Sequence, residues 1–272
     1  MKLSTERILT THVGSLPRSQ AVTDVLFARE AGTLADEAAG NATIAAAVQE
    51  VVRQQVSAGI DVVSDGEMSK ISYATYIADR FTGFAGDTPR EPGQDLVEFP
   101  NLLKKLAERG ATAKYRRPRC VGDIKVKNLA PLQGDIEHLQ AAVAQARPSD
   151  AFLNAGSPGV IALFQPNDYY PNVDAYLEAL AEALRTEYEA IVDAGLLLQI
   201  DAPDLGMGRH TMYRHASVEE FLKRAALHIE VLNHALRNVA ADRVRMHVCW
   251  GNYEGPHHHE SAKPGNRTEE CG

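Results

Sequence analysis

The stretch Asp193-Ala194-Gly195-Leu196-Leu197-Leu198-Gln199-Ile200-Asp201-Ala202-Pro203 decides the fold. Its glycine suits the left-handed position that ends a helix. The apolar run that follows reads as a strand buried on both faces, and it stops on a carboxylate and a proline. Upstream, Tyr176, Leu177, Leu180, Leu184, Tyr188 and Ile191 recur at three- and four-residue spacing, which is one face of a helix. The same joint stands earlier, as Ser57-Ala58-Gly59-Ile60-Asp61-Val62, after a helix predicted over 43–56 through Ile44, Val48, Val51 and Val52.

Working outward, the apolar runs Ile8-Leu9-Thr10-Thr11-His12-Val13, Asp61-Val62-Val63-Ser64, Ala151-Phe152-Leu153-Asn154 and Val244-Arg245-Met246-His247-Val248 bring the predicted strands to five. Each ends in polar residues. Ser217-Val218-Glu219-Glu220 reads as a capping box, opening a helix with Phe221, Ala225, Leu232 and Leu236 on its apolar face. Strand and helix in alternation mean an α/β fold with parallel strands. Polar residues gathered at the strand ends point to a (β/α)8 TIM-barrel type, which carries its chemistry at that end. The alternative is an open doubly wound sheet, but no glycine-rich phosphate loop follows the first strand. Residues 81–122 break the rhythm and read as an insertion. A closed barrel of this type takes eight strands and typically about 250 residues, so only about five of the eight are expected in this chain.

The chain has 272 residues, 44% hydrophobic and 24% charged, with 28 Lys plus Arg against 36 Asp plus Glu and a net charge of −8. Such a composition is that of a globular protein. An acidic chain without a basic run excludes nucleic acid and an anionic membrane surface as partners. Cys120, Cys249 and Cys271 are an odd set without framework spacing, so no disulfide scaffold is expected and a reducing, cytoplasmic setting fits. No signal-peptide or membrane-length apolar run occurs.

Several residues at the strand ends can carry chemistry. His247 and Cys249 are two apart on the last strand and project to one side. An imidazole and a thiolate together suit tetrahedral zinc, though a buried cysteine beside a core histidine has the same pattern. Asp201 closes an apolar strand, where an unpaired carboxylate costs several kcal/mol unless something binds it; a helix cap is its other reading. Glu67, in Asp65-Gly66-Glu67, and Ser15, in His12-Val13-Gly14-Ser15, take corresponding places, or serve as turn residues. Together they are apt for gripping an ammonium group or another polar ligand at a barrel mouth.

The ordered motifs His12-Val13-Gly14-Ser15-Leu16-Pro17-Arg18, Asp65-Gly66-Glu67, Gly122-Asp123-Ile124, Asn154-Ala155-Gly156-Ser157-Pro158, Gln199-Ile200-Asp201-Ala202-Pro203 and His247-Val248-Cys249 resemble the cobalamin-independent methionine synthases, in particular their C-terminal catalytic barrel. The resemblance runs from about Ile8 to Glu260. It implies a zinc-dependent methyltransferase that moves a methyl group from 5-methyltetrahydrofolate, as the polyglutamate, to a thiol such as homocysteine. Zinc keeps sulfur deprotonated near neutral pH, and the thiolate is the competent nucleophile. His247 and Cys249 match two of the family's zinc ligands. Ser15, Glu67 and Asp201 match residues that hold the amino-acid part of homocysteine, with His12 and Arg18 in the same motif counted as substrate-binding. The substrate's own thiol attacks, so no protein nucleophile is implied.

Two departures qualify the resemblance. Where the family usually has Asp-Glu-Pro, this chain has Asp201-Ala202-Pro203 and runs on as Asp204-Leu205-Gly206-Met207-Gly208-Arg209-His210, like single-barrel homologues that include epoxyalkane:coenzyme M transferases. A thiol–epoxide transferase is therefore an alternative, with Arg18, Arg209 or His210 meeting a sulfonate. As ordinary loop residues the three would be solvated. The second departure is the end of the chain. The remaining ligands, a Glu and a Cys on later strands, are missing, and after Gly255-Pro256-His257-His258-His259-Glu260 the tail 261–272 has no strand or helix pattern. The expectation is an incomplete barrel over 1–260 with an atypical, disordered tail, and a catalytically inactive chain is a further alternative. Glu270 and Cys271 as substitute ligands would lack an ordered supporting shell. Unpaired strand edges would invite a second chain to cover them.

Overall fold

In a computed structural model, residues 1–88, 92–108 and 117–249 are described. In chain order the elements are α1 (Gln20–Glu30), α2 (Glu37–Ser57), β1 (Val62–Ser64), α3 (Ile77–Arg80), β2 (Phe84–Ala85), α4 (Gln94–Val97), α5 (Pro100–Glu108), β3 (Arg119–Cys120), α6 (Ala130–Ala146), β4 (Asp150–Gly156), α7 (Pro158–Phe164), α8 (Val173–Asp193), β5 (Leu197–Asp201), α9 (Val218–Ala235) and β6 (Val244–His247). The main sheet is parallel in the order β1-β4-β5-β6, and Thr11 bridges onto Val62 at its outer edge, also in parallel. Consecutive strands lie side by side, each pair joined through helices, as in a TIM-type barrel.

Both helix-to-strand joints behave as their glycines require. Gly59 and Gly195 take φ of 83° and 84°, where a side chain would be strained. The α8 face is buried as its spacing predicts: Tyr176, Leu177, Leu180, Leu184, Tyr188 and Ile191 are each at most 1% exposed. Burying each such side chain contributes about 1.5–3 kcal/mol, enough to hold the β4–β5 crossover against the sheet. The Ser217 capping box is present in full, with Ser217 Oγ accepting from Glu220 N and Glu220 Oε2 from Ser217 N.

Two expectations are revised. The first predicted strand, over 8–13, is reduced to the single bridge at Thr11, because it pairs on one side only and Ile8 is 84% exposed. The helix expected over 43–56 starts earlier, at Glu37, because Asp36 caps it by accepting from Ala39 N at 2.9 Å. Residues 81–122 carry structure of their own, an antiparallel pair β2–β3 with Phe84 opposite Cys120, beside α4 and α5. The tail 261–272, the three histidines and Glu260 lie outside the described residues. No helix among the described residues is long and apolar enough to cross a membrane.

A buried polar chain ties the loop after β5 to the helices around it. Ser157 Oγ donates to Asp204 Oδ1 at 2.6 Å, Asp204 Oδ2 lies 2.8 Å from His228 Nδ1, and His228 Nε2 lies 2.9 Å from the Tyr213 hydroxyl. Gly159 makes room for it. A Cβ there would stand 2.0 Å from Asp204 Oδ2 and 2.4 Å from His228 Nδ1.

Candidate functional site

Side chains alternate across a strand, so paired residues of β4 and β5 divide into two layers. Leu153, Ala155, Leu198 and Ile200 face the helices and join the main core. On the other face Val62, Phe152 and Leu197 form a small apolar cluster of their own. Beyond it, toward the strand ends, the inner face turns polar: Ser64, Asn154, Gln199 and Asp201 are all buried. Arg245, in register with Gln199, stacks 4.4 Å from the Phe152 ring centre and donates to Thr11 Oγ1 at 3.2 Å. Burial lowers its pKa, against the pull of Asp201.

The loop after β1 brings Glu67 into this layer. Gly66 and Glu67 both take left-handed backbone, φ 62° and 56°. A Cβ on Gly66 would meet Leu16 and Met68 at 3.1 Å, so the position is reserved for glycine. For Glu67 the same conformation costs on the order of 1–2 kcal/mol, and such strain gathers at functional sites. The turn is held by Asp65 Oδ1, which accepts from Glu67 N at 2.9 Å, and by Arg18, whose Nη2 donates to Glu67 O at 2.9 Å and Lys70 O at 2.6 Å.

Three of the residues singled out in the sequence converge. Ser15 Oγ donates to Glu67 Oε2 at 2.6 Å. Asn154 Nδ2 donates to Glu67 Oε1 at 3.0 Å and to Asp201 Oδ2 at 2.8 Å, so one amide joins the two carboxylates. Gln199 Nε2 adds a bond to Asp201 Oδ1 at 2.8 Å. Glu67 and Asp201 are 3% and 4% exposed, while Ser15 stands at the solvent edge. Burial raises the pKa of Glu67 against the Ser15 hydrogen bond and the charge of Lys70. It raises Asp201 likewise, against Asn154, Gln199, Lys70 and Arg245. The site thus holds two desolvated carboxylates side by side, both raised by burial despite the nearby cations.

The other sequence candidates are placed around this cluster. Arg18 holds the Glu67 loop through backbone carbonyls, and burial lowers its pKa. His12 is half-buried beside Thr11, with Nδ1 lacking a partner. Arg209 Nη1 reaches Tyr213 O at 3.5 Å, and His210 is fully buried rather than solvated. His247 is in register with Asp201, and its carbonyl accepts from Ala202 N at 2.9 Å, while the Cys249 carbonyl accepts from Met207 N at 3.4 Å. Imidazole and thiol are the right donors for zinc. However, among the described residues no three metal-ligating side chains come together. The described residues do not by themselves assemble a closed zinc site.

Asn154, Gln199 and Lys70 are the site residues that the sequence reading missed. Asn154 and Gln199 were visible as amides breaking apolar strands, two residues from Gly156 and Asp201 on the same face. Nothing local marked Lys70. A cleft of about 900 Å³ lies apart from these residues, among Arg29, Glu37, Ser72, Asp79 and His138.

Residues 8–91 match the family model of the cobalamin-independent synthase catalytic domain, a span that includes Ser15 and Glu67. A methionine synthase from Saccharolobus islandicus is 28% identical over 245 residues, covering 90% of this chain and 63% of its own length. One from Saccharolobus solfataricus is 27% identical over 246 residues, with the same coverage. The chain is thus similar to the cobalamin-independent synthase catalytic domain over residues 8–91 and to methionine synthases over most of its length. It spans less than two thirds of the length of these curated relatives. Among solved structures, a B12-independent methionine synthase from Shewanella sp. W3-18-1, in complex with selenomethionine, matches with a TM-score of 0.62 at 18% identity, covering 89% of this chain and 61% of that one. A putative vitamin-B12 independent methionine synthase from Listeria monocytogenes matches with a TM-score of 0.61 at 18% identity, covering 91% of this chain and 68% of that one. At such identity the two solved structures carry the fold alone, a TIM-type barrel.

Proposed function

We propose that the chain serves in thiol methylation, holding the amino-acid end of a thiol such as homocysteine at the mouth of the barrel for methyl transfer from 5-methyltetrahydrofolate. The observation that carries this reading is the pair Glu67 and Asp201, buried, bridged by Asn154 and hydrogen-bonded through Glu67 to the exposed Ser15. An amino acid brings the ammonium that both carboxylates lack. Each charge-assisted hydrogen bond to it contributes about 1.5–3 kcal/mol, roughly tenfold or more in affinity. Ser15 fixes one Glu67 oxygen and leaves the carboxylate aimed. Binding at this end positions the substrate's own thiol, the nucleophile, without any nucleophile from the protein.

The resemblance assigns activation of the thiol to zinc, with His247 and Cys249 as donors. These two are all that the described residues offer, so the reading rests on the amino-acid clamp. Calorimetric titration with L-homocysteine and L-methionine tests it, together with homocysteine-dependent demethylation of 5-methyltetrahydrofolate. Saturable binding of both amino acids is expected, lost when the amino group is acylated. If neither amino acid binds, or acylation leaves binding unchanged, the reading is wrong.

A further inference from the structure

An amide side chain can bridge two carboxylates only if it is turned the right way round, and something must enforce that choice. Carboxylates accept hydrogen bonds, so both Asn154 contacts, at 3.0 and 2.8 Å, need its NH2 group. The Asn154 carbonyl is then left pointing into the protein, where it needs a donor. Lys70 supplies it: Nζ lies 3.3 Å from Asn154 Oδ1 and is buried with it. A reversed amide would set NH2 against an ammonium and a carbonyl against two carboxylates, repulsive at all three contacts.

We infer that Lys70 is a positioning residue of the carboxylate clamp: its ammonium holds the Asn154 carbonyl and thereby turns the Asn154 NH2 group onto Glu67 and Asp201 together. The inference rests on the amino-group clamp proposed above and deepens it. Lys70 does not touch the ligand. It acts through Asn154 and through its charge.

The surroundings keep Lys70 ionised for this task. It sits 3.6 Å from Asp65 Oδ2 and 4.0 Å from Asp135 Oδ2 of α6. Burial alone would lower its pKa, but Asp65, Asp135, Glu67 and Glu187 of α8 outweigh it and leave the pKa raised. The clamp itself faces Arg245 and His247 of β6 and Arg18 of the N-terminal loop. Of these neighbours, Lys70 is the cation that lowers both Glu67 and Asp201. Its removal therefore raises both carboxylates further, and the acid side of ligand binding moves to higher pH.

The test is titration of the full chain with L-methionine and L-homocysteine between pH 5 and 9, for the unmodified protein, Lys70→Met, Lys70→Arg and Asn154→Leu, with circular dichroism confirming each fold. Lys70→Met is expected to weaken binding about tenfold or more and to move the acid limb of the profile up by about one pH unit. Lys70→Arg restores most of both. Asn154→Leu loses the bridge with Lys70 intact, weakens binding to a similar extent, and decides the matter if Lys70→Met does not fold. Unchanged affinity and an unmoved acid limb in a folded Lys70→Met overturn the inference while the clamp stands. So does unchanged binding in Asn154→Leu. Absence of binding by the unmodified protein overturns the clamp itself, and the role of Lys70 with it.

Discussion

Two buried polar networks lie at the same end of the sheet, and they differ in what they leave over. In Ser157–Asp204–His228–Tyr213 both carboxylate oxygens and both ring nitrogens are engaged. The remaining hydroxyl, on Tyr213, is pushed up to about 12 by burial. In Ser15–Glu67–Asn154–Asp201 the carboxylates are raised by burial, and the neighbouring Gln199 Oε1 is buried without a partner. A network that satisfies itself fastens secondary structure. One that leaves raised carboxylates and an unsatisfied amide oxygen keeps hydrogen-bonding capacity in reserve.

Substitutions should separate the two. The largest effect is expected at Gly159→Ala, whose methyl would overlap the Asp204–His228 contact; overpacking there should cost about 3 kcal/mol in a urea melt. His228→Ala, which strands Asp204, should cost on the order of 2–3 kcal/mol, with amino-acid affinity kept in the folded fraction. Asp201→Asn should shift the emphasis, with binding of methionine falling at least about tenfold while stability falls less than in His228→Ala, because the amide sets one NH2 group against Asn154 or Gln199 but removes a buried charge. Equal losses of stability in His228→Ala and Asp201→Asn would erase the distinction.

The pH dependence sharpens it further. Burial raises Glu67, Asp201 and Asp135 above their unfolded values, so the folded chain holds protons that the unfolded chain releases. The stability this contributes is complete below about pH 4, the ordinary carboxylate range, and is lost as pH rises through the raised folded values. A bound ammonium offsets that loss. Methionine should therefore raise the melting temperature more at pH 8 than at pH 5, and Asp201→Asn should flatten the difference. The smallest effect is expected from metal. If His247 and Cys249, the two donors among the described residues, act alone, they should hold zinc weakly, so dialysis against a chelator should remove it with little change in melting temperature. One tightly retained zinc per chain, lost in Cys249→Ser, would show that residues beyond Cys249 complete a site.

Much of this was legible before any coordinates. Tyr176, Leu177 and Leu180 announce α8 because a helix repeats its buried face every three to four residues. Gly59 and Gly195 announce the joints because only glycine takes that backbone cheaply. Ser15, Glu67 and Asp201 stood out as polar residues closing apolar runs. The edge strand at Thr11 was over-read, since apolar content alone does not say whether a neighbour pairs on both sides. Lys70 stayed hidden because its partners Asn154 and Asp135 are distant in sequence, and a lone lysine in a loop has no periodicity to betray it.

The amino-acid sequence alone determined the helix–strand alternation, the parallel class of the sheet and the gathering of carboxylates at strand ends, because each follows from local spacing and backbone preference. Only the tertiary structure decided that one asparagine joins Glu67 to Asp201, that a buried lysine orients it, and that Asp204 with His228 closes on itself. Those outcomes depend on which strands lie side by side and in what register. Desolvation, which turns a carboxylate from a surface charge into a receptor, exists only once the chain has folded around it.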